Sequence, residues 1–177
     1  MDFFIQVSEP ICLNNFNKED ESLSDALETI FPLLTEKAII MWKHIPILIS
    51  YKYDISYMID DILDMLIAIR TEKHGKMVIH WLPDTFRCDW KISWDEINIK
   101  INAEWGGIIG DFEVMLNKNP EVCVGIEDFR NEWKKLLGIV VNSLKECGYK
   151  KEQIRNMDKL LTEYNEIRGC GILYKEE

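Results

Sequence analysis

A histidine, a cysteine and an aspartate in the middle of the chain could assemble a small catalytic site. Histidine commonly acts as a general base, a cysteine thiolate is a strong nucleophile, and a third polar group can orient the base. His80, Cys88 and Asp89 lie close together in the sequence. Because groups of this kind meet only through the fold, the sequence leaves open a small enzyme built around these three residues.

The chain carries none of the local motifs that bind a nucleotide phosphate or a zinc ion, or that activate a serine. It has no GxxxxGK[ST] or GxGxxG loop, no HExxH helix and no GxSxG turn. Its five cysteines are far apart and form no CxxC pair, so neither a zinc site nor a disulfide framework is expected. His80 is more simply an exposed strand residue beside Asp89. We therefore expect no cofactor, no metal ion and no enzymatic activity.

Three aspartates on one predicted helix invite comparison with magnesium-binding helices. Asp60, Asp61 and Asp64 are spaced so that they share one helix face. Magnesium sites of that type need a second acidic cluster across a helical bundle, which an α+β chain does not offer. A solvated helix face is the simpler interpretation.

Negative charge is concentrated in the first 75 residues. The chain has a formal net charge of −10, and its first 75 residues hold thirteen acids and six bases. A single-signed patch speeds encounter with an oppositely charged protein and rejects wrong partners. Nucleic-acid and membrane partners are not expected, because phosphate binding needs a basic surface. The candidate partner-binding residues are Glu19, Asp20, Glu21, Asp25, Glu28, Asp54, Asp60, Asp61 and Asp64.

Hydrophobic periodicity and capping residues predict the elements outside the middle of the chain. Three strands are predicted, over 2–7, 38–42 and 46–53. Four helices are predicted, and they begin at Ser22 or Ser24, at Asp54 or Ser56, near Glu127 and near Lys151. Pro32 should end or bend the first helix, and Gly148 should follow the end of the third. Residues 111–125 suggest two short extended pieces around Asn119 and Pro120.

The clearest pattern is a strict alternation of apolar and polar residues between about 76 and 105. A turn at Asp84-Thr85 would place Ile79 opposite Trp90, and a turn at Asp95-Glu96 would place Trp90 opposite Ile101. Both registers collect the apolar residues on one face, which predicts a three-stranded antiparallel meander. The expected fold is α+β: a mainly antiparallel sheet with this central meander and four helices on its apolar face. We expect one globular domain over 1–177.

Several segments resemble the immunity proteins of bacterial polymorphic toxin systems, including contact-dependent growth inhibition (CDI). These segments are 42–47, 51–56, 90–94, 97–101 and 129–137. The resemblance implies a non-enzymatic inhibitor that binds a cognate toxin domain, one to one, and blocks its active site. Many such toxins are nucleases with basic substrate clefts, so it also implies an acidic surface that competes for the groove.

Three features of the sequence indicate the cellular compartment of the protein. The first residues lack the basic and apolar segments of a signal peptide, and no apolar stretch is long enough to span a bilayer. Cysteines without a pairing pattern suit a reducing environment. We expect a cytoplasmic protein.

A third hypothesis is an adaptor subunit of a larger complex. Trp42 and Trp94 fit the predicted core less securely than the other tryptophans. If they were exposed, they could anchor a partner.

Overall fold

The computed structural model describes residues 2–167, and this part of the chain forms two antiparallel sheets and five α-helices. The strands are β1 (Phe3–Gln6), β2 (Ala38–Trp42), β3 (Ile45–Ile49), β4 (Gly75–Trp81), β5 (Phe86–Trp94), β6 (Asn98–Ile108) and β7 (Glu121–Gly125). The helices are α1 (Leu23–Ile30), α2 (Ser56–Thr71), α3 (Glu113–Asn117), α4 (Ile126–Glu146) and α5 (Met157–Glu166). This architecture confirms the predicted α+β class.

The first sheet has the order β1-β2-β3, and the two strands predicted at 38–42 and 46–53 pair in it as an antiparallel hairpin. Its last strand ends at Ile49, whereas the sequence predicts a strand that reaches Tyr53. The Ser50 hydroxyl accepts hydrogen bonds from the N–H groups of Tyr53 and Asp54. These bonds start a π-helical turn, Tyr51–Ile55, which leads directly into α2.

The second sheet has the order β4-β5-β6-β7 and contains the predicted meander with one further strand. The expected pairing of β4 with β5 is confirmed, since Ile79 lies opposite Trp90 and Trp81 lies opposite Cys88. In the described part of the chain, α2 contacts β4, and α4 contacts β6 and β7, on the buried apolar side of this sheet. Its other face is polar and open to solvent.

The predicted register between β5 and β6 is wrong by two residues. Trp90 lies opposite Ala103 and not opposite Ile101. The cause is the Asp95 carboxylate, which accepts two backbone hydrogen bonds of 2.7 Å from the residues that follow it in the turn. The tight turn therefore forms one residue later than expected. Because a change of two residues keeps each side chain on its face, the apolar set still points to the core.

Residues 111–125 contain one short helix and one strand, where the sequence suggests two extended pieces. The side-chain amide of Asn117 brackets the backbone of Trp105: it donates to the carbonyl at 2.9 Å and accepts from the N–H at 2.9 Å. This contact docks α3 on β6. It explains why five helices form in the described part of the chain and not the four predicted.

The last two long helices follow the predicted pattern with one change. α4 ends close to Gly148, whose φ of 89° suits the expected glycine stop. α5 begins at Met157, later than the predicted start near Lys151. Asn156 has a φ of 64°, and such a left-handed residue interrupts a right-handed helix. Within residues 2–167, each helix is too short or too polar to cross a membrane.

Both sheets share one core with α4, and aromatic rings join them. Phe3 of β1 lies 5.1 Å from Phe129 of α4 and 6.2 Å from Trp90 of β5, measured between ring centroids. Trp42 of β2 lies 5.7 Å from Trp90. Edge-to-face and tilted contacts of this kind add to the stabilisation that burial provides.

Trp42 and Trp94 belong to this core, with exposed fractions of 0% and 6%. Each indole N–H donates to a backbone carbonyl, from Trp42 to Asn119 at 2.8 Å and from Trp94 to Glu72 at 2.9 Å. Neither ring can reach a partner. The adaptor hypothesis is therefore wrong in the form that uses these tryptophans as anchors.

Two buried carboxylates tie distant elements together. Glu132 of α4 accepts a hydrogen bond of 2.8 Å from the Ile5 N–H of β1, and Lys135 Nζ lies 2.7 Å from both of its oxygens. Glu163 of α5 accepts two bonds, of 2.9 and 2.6 Å, from the guanidinium of Arg70 in α2. These contacts fix β1 on α4 and α5 on α2.

Candidate protein-binding surface

The three residues of the candidate catalytic site do not come together. His80 Nδ1 lies 2.8 Å from Asp89 Oδ1 on the open face of the second sheet. Cys88 points to the opposite face, where it is buried. Burial raises the pKa of the Cys88 thiol far above its ordinary value, so the reactive thiolate is disfavoured. The hypothesis of an enzyme site formed by these three residues is wrong.

The aspartates of α2 do not form a metal site. Asp60 accepts a hydrogen bond of 3.0 Å from Asn156, and Asp64 pairs with Lys159 at 3.1 Å. Within residues 2–167, no group of three or more histidine, cysteine, aspartate and glutamate side chains is arranged to hold a metal ion.

Two of the nine acidic residues predicted to bind a partner are buried. Asp20 accepts hydrogen bonds from the Tyr149 hydroxyl and, at 3.0 Å, from the Asn17 side chain. Burial and the neighbouring Asp20 raise the pKa of Tyr149 to about 12. Asp20 holds the loop before α1 against the chain after α4, and it is not part of an exposed surface.

Asp54 is also buried and has a structural role. Its carboxylate accepts a hydrogen bond of 2.7 Å from the Ser50 N–H and another from the Thr85 hydroxyl. The first bond closes the π-helical turn, and the second ties that turn to the loop between β4 and β5. A side chain with these internal partners cannot contact another protein, which removes Asp54 from the predicted surface.

Asp25 is exposed but serves the N-terminus of α1. Its N–H donates to the Ser22 hydroxyl, and its carboxylate accepts from the Ser22 N–H, each at 3.1 Å. The hydrogen bonds with Ser22 lower the pKa of Asp25, and the charge of Arg155 lowers it further. This reciprocal arrangement is a capping box.

The remaining acids of the first half are unequally exposed. Glu19 and Glu21 are exposed in the loop before α1, while Glu28 on α1 is half-buried. The Glu21 carbonyl accepts a hydrogen bond of 2.8 Å from the N–H of Arg155. The segment before α5 therefore runs beside α1 and brings bases to this side of the molecule. A count of charges along the sequence cannot detect this neutralisation, because Arg155 lies more than one hundred residues after these acids.

One face of α2 keeps its negative charge at the surface. Tyr57, Asp61 and Asp64 are exposed, and their spacing of four and three residues places them on one side of the helix. We call these three residues the α2 acidic face. Asp61 makes no hydrogen bond or ion pair with any residue in the range 2–167. Desolvation raises the pKa of Asp61, and the charges of Asp64 and Asp60 raise it further.

Tyr57 is the surface residue that sequence reasoning missed. Its side chain is 65% exposed, a large fraction for an aromatic residue. Tyr53, one turn earlier in the chain, is also exposed. Tyrosine is enriched at protein interfaces because its ring packs and its hydroxyl forms hydrogen bonds. The four-residue spacing between Tyr57 and Asp61 is the signal that could have revealed them as neighbours.

The open face of the second sheet is a less specific surface. A groove of about 620 Å³ lies there, lined in part by His74, Lys76, Asp95 and Lys100. Lys100 pairs with Glu121 at 2.8 Å. Both signs of charge are mixed in this region, so it does not match the single-signed surface that a strongly charged partner would select.

No family model, curated protein or solved structure matches this chain. The geometry of its own residues therefore carries the functional argument.

Proposed function

We propose that this protein is an immunity-type inhibitor that binds one basic toxin domain, of the nuclease class, in the cytoplasm and blocks its active site. The observation that carries the proposal is the α2 acidic face, an exposed tyrosine beside two exposed aspartates on a rigid helix. Interfaces commonly combine an aromatic anchor with charged residues that set orientation. Tyr57 would supply the anchor, and Asp61 and Asp64 would supply the charge.

The electrostatics of Asp61 favour a basic partner. Its carboxylate is partly desolvated and lies beside Asp64 and Asp60, and both effects raise its pKa. A lysine or arginine of the partner would relieve that repulsion and form a charge-assisted hydrogen bond. Binding would then lower the electrostatic energy of the Asp61 carboxylate, whose ionised form is disfavoured in the free protein.

A basic nuclease cleft offers the matching chemistry. Such a cleft holds the phosphates of its substrate with lysine, arginine or histidine side chains. The carboxylates of the α2 acidic face would occupy the positions of phosphate oxygens and exclude the substrate. The inhibitor would thus block the substrate-binding cleft directly, and this needs no catalytic group on the inhibitor.

The test begins with the neighbouring gene. We expect the gene directly upstream to encode a long secreted protein that ends in a basic toxin domain. Coexpression of the present chain should restore growth to cells that make this domain. A metabolic operon at this position, or toxicity that persists on coexpression, would contradict the proposed function.

Calorimetric titration of that domain then tests the surface. Asp61→Lys should weaken binding about 10-fold or more, because close charge pairs across interfaces contribute at least ~1.5 kcal/mol. Glu104→Lys is the matched control, since it makes the same charge reversal at an exposed residue of β6 on the open sheet face. If both variants bind as the wild type does, the α2 acidic face has no part in the interface.

A further inference from the structure

We propose that Cys12 and Cys147 form a modification site, at which a low-molecular-weight disulfide such as glutathione disulfide converts the two thiols into an internal disulfide bond. Their Sγ atoms lie 2.8 Å apart, although the residues are 135 positions apart in the sequence. A disulfide bond is about 2.05 Å long, so the sulfur atoms need to approach by only about 0.8 Å. This inference does not depend on the proposed function.

The elements that carry the two cysteines are already held together by other contacts. The Tyr149 hydroxyl accepts a hydrogen bond of 3.2 Å from the Asn17 N–H, and it donates one to Asp20. The ring of Phe16 lies 5.0 Å from the ring of Tyr149. These contacts place the loop before α1 on the turn after α4 whether or not the sulfur atoms are bonded. The bond could therefore form within the native fold, by the short approach of the two sulfur atoms.

The two thiols differ in access, and this sets the order of reaction. Cys12 is half-buried and can be reached from solvent, whereas Cys147 is buried. Burial raises the pKa of Cys147 to about 12, and the neighbouring Cys12 contributes to the rise. Cys12 should react first, and Cys147 should then resolve the intermediate.

The chemistry balances in two exchange steps. The Cys12 thiolate attacks one sulfur of glutathione disulfide and releases one glutathione thiolate, which leaves a mixed disulfide on Cys12. Cys147 loses its proton and attacks the Cys12 sulfur, which releases the second glutathione. Overall, two protein thiols are oxidised by two electrons, and one glutathione disulfide is reduced to two glutathione molecules.

The experiment treats the full-length folded protein with glutathione disulfide and measures its intact mass. We expect the loss of two hydrogen atoms, reversal by dithiothreitol, and one cross-linked tryptic peptide pair that contains Cys12 and Cys147. Because the closed loop is long, the oxidised protein should melt about 5–10 °C higher than the reduced protein. Cys123→Ser is the control, since Cys123 is exposed and its removal should leave the cross-link intact.

Single variants separate this site from ordinary surface oxidation. Cys147→Ser should stop the reaction at the mixed disulfide, so that a stable glutathione adduct remains on Cys12. Peptide mapping of the wild-type protein gives a second readout that does not depend on the folding of that variant. A stable adduct on wild-type Cys12, or a cross-link to Cys88, Cys123 or Cys170, would overturn the proposal.

Discussion

Lys159 Nζ of α5 lies 3.1 Å from Asp64 Oδ1 of α2, so a base near the end of the chain partly neutralises the α2 acidic face. Asp61, one turn away on the same helix, has no such partner among the described residues. The two aspartates should therefore differ in how strongly they attract a basic protein. In the proposed complex, Asp61 should therefore carry the larger share of the binding energy, because Asp64 must first give up or share Lys159.

Replacement of Asp61 should stabilise the free protein at neutral pH. The pKa of Asp61 is raised in the fold, so its ionised form is disfavoured there and stability falls as pH rises through that pKa. Asp61→Asn should remove this penalty and raise the free energy of unfolding by about 0.2–0.5 kcal/mol, the range for like-charge pairs on a helix. Urea unfolding at neutral pH measures the gain. At a pH low enough to protonate Asp61, the gain should disappear.

The capping aspartate of α1 should show the opposite pH dependence. The pKa of Asp25 is lowered from 3.8 in the fold, so its contribution is present above that value and is lost as pH falls through the lowered pKa. Asp25→Ala should cost about 0.5–1 kcal/mol at neutral pH, as expected for a lost cap. Thermal melts at neutral and acidic pH should show the difference shrink. A constant difference across this range would show that the charge of Asp25 does not matter.

Loss of the buried ion pair between α2 and α5 should destabilise the fold. Glu163 is 0% exposed, and its Oε1 accepts both bonds from Arg70. Glu163→Gln should cost about 1–3 kcal/mol, because the Arg70 guanidinium, still partly exposed, loses its charged partner. Glu96→Gln removes the partner of Lys73 in an exposed pair and should change stability by less than about 0.5 kcal/mol. Equal effects in chemical denaturation would contradict the assignment of Glu163 to the core.

A methyl group at Gly75 should disrupt the start of β4. The Cβ atom of an alanine there would overlap the indole ring of Trp94, which lies opposite Gly75 on β5. Since Trp94 is buried and its N–H is bonded to Glu72, the ring cannot move away freely. Gly75→Ala should cost about 1–3 kcal/mol. Gly106→Ala is the control, because its Cβ would make only ordinary contacts.

Alanine substitutions of a core tryptophan and of a surface tyrosine should affect different properties, the first the stability of the fold and the second the affinity for the partner. Trp42→Ala should cost about 3–5 kcal/mol, since the ring is fully buried among aromatic neighbours. Tyr57→Ala should leave the melting temperature nearly unchanged and weaken binding to the basic partner. Thermal denaturation and titration of both variants give the comparison. A large loss of stability in Tyr57→Ala would assign that ring to the core and remove it from the interface.

The sequence predicted elements where a local pattern determines the structure. Strict alternation identified the meander, because a one-residue slip would expose every apolar side chain. The register of β6 was missed, since it depends on backbone hydrogen bonds that the Asp95 side chain accepts and not on polarity. α3 was missed for a similar reason, because the Asn117 side chain docks it on a strand that periodicity cannot identify as its neighbour.

The candidate surface was harder to predict, because charge in a sequence carries no information about burial. A count of acidic residues includes Asp20 and Asp54 among the surface charges. Both carboxylates, however, accept hydrogen bonds from other residues of the fold. Lys159 and Arg155 reach the acidic half only through tertiary packing. Of the predicted acids that are exposed, Asp61 and Asp64 lie about one turn apart on α2, and Tyr57 joins them only once its exposure is known.

The bond between the Ile5 N–H and Glu132 has a consequence for biosynthesis. The acceptor follows the donor by 127 positions in the chain. During translation, β1 has no carboxylate to dock on until α4 has left the ribosome. Contacts of such long sequence separation form slowly. Until then, β1 can pair with β2 but cannot dock on α4.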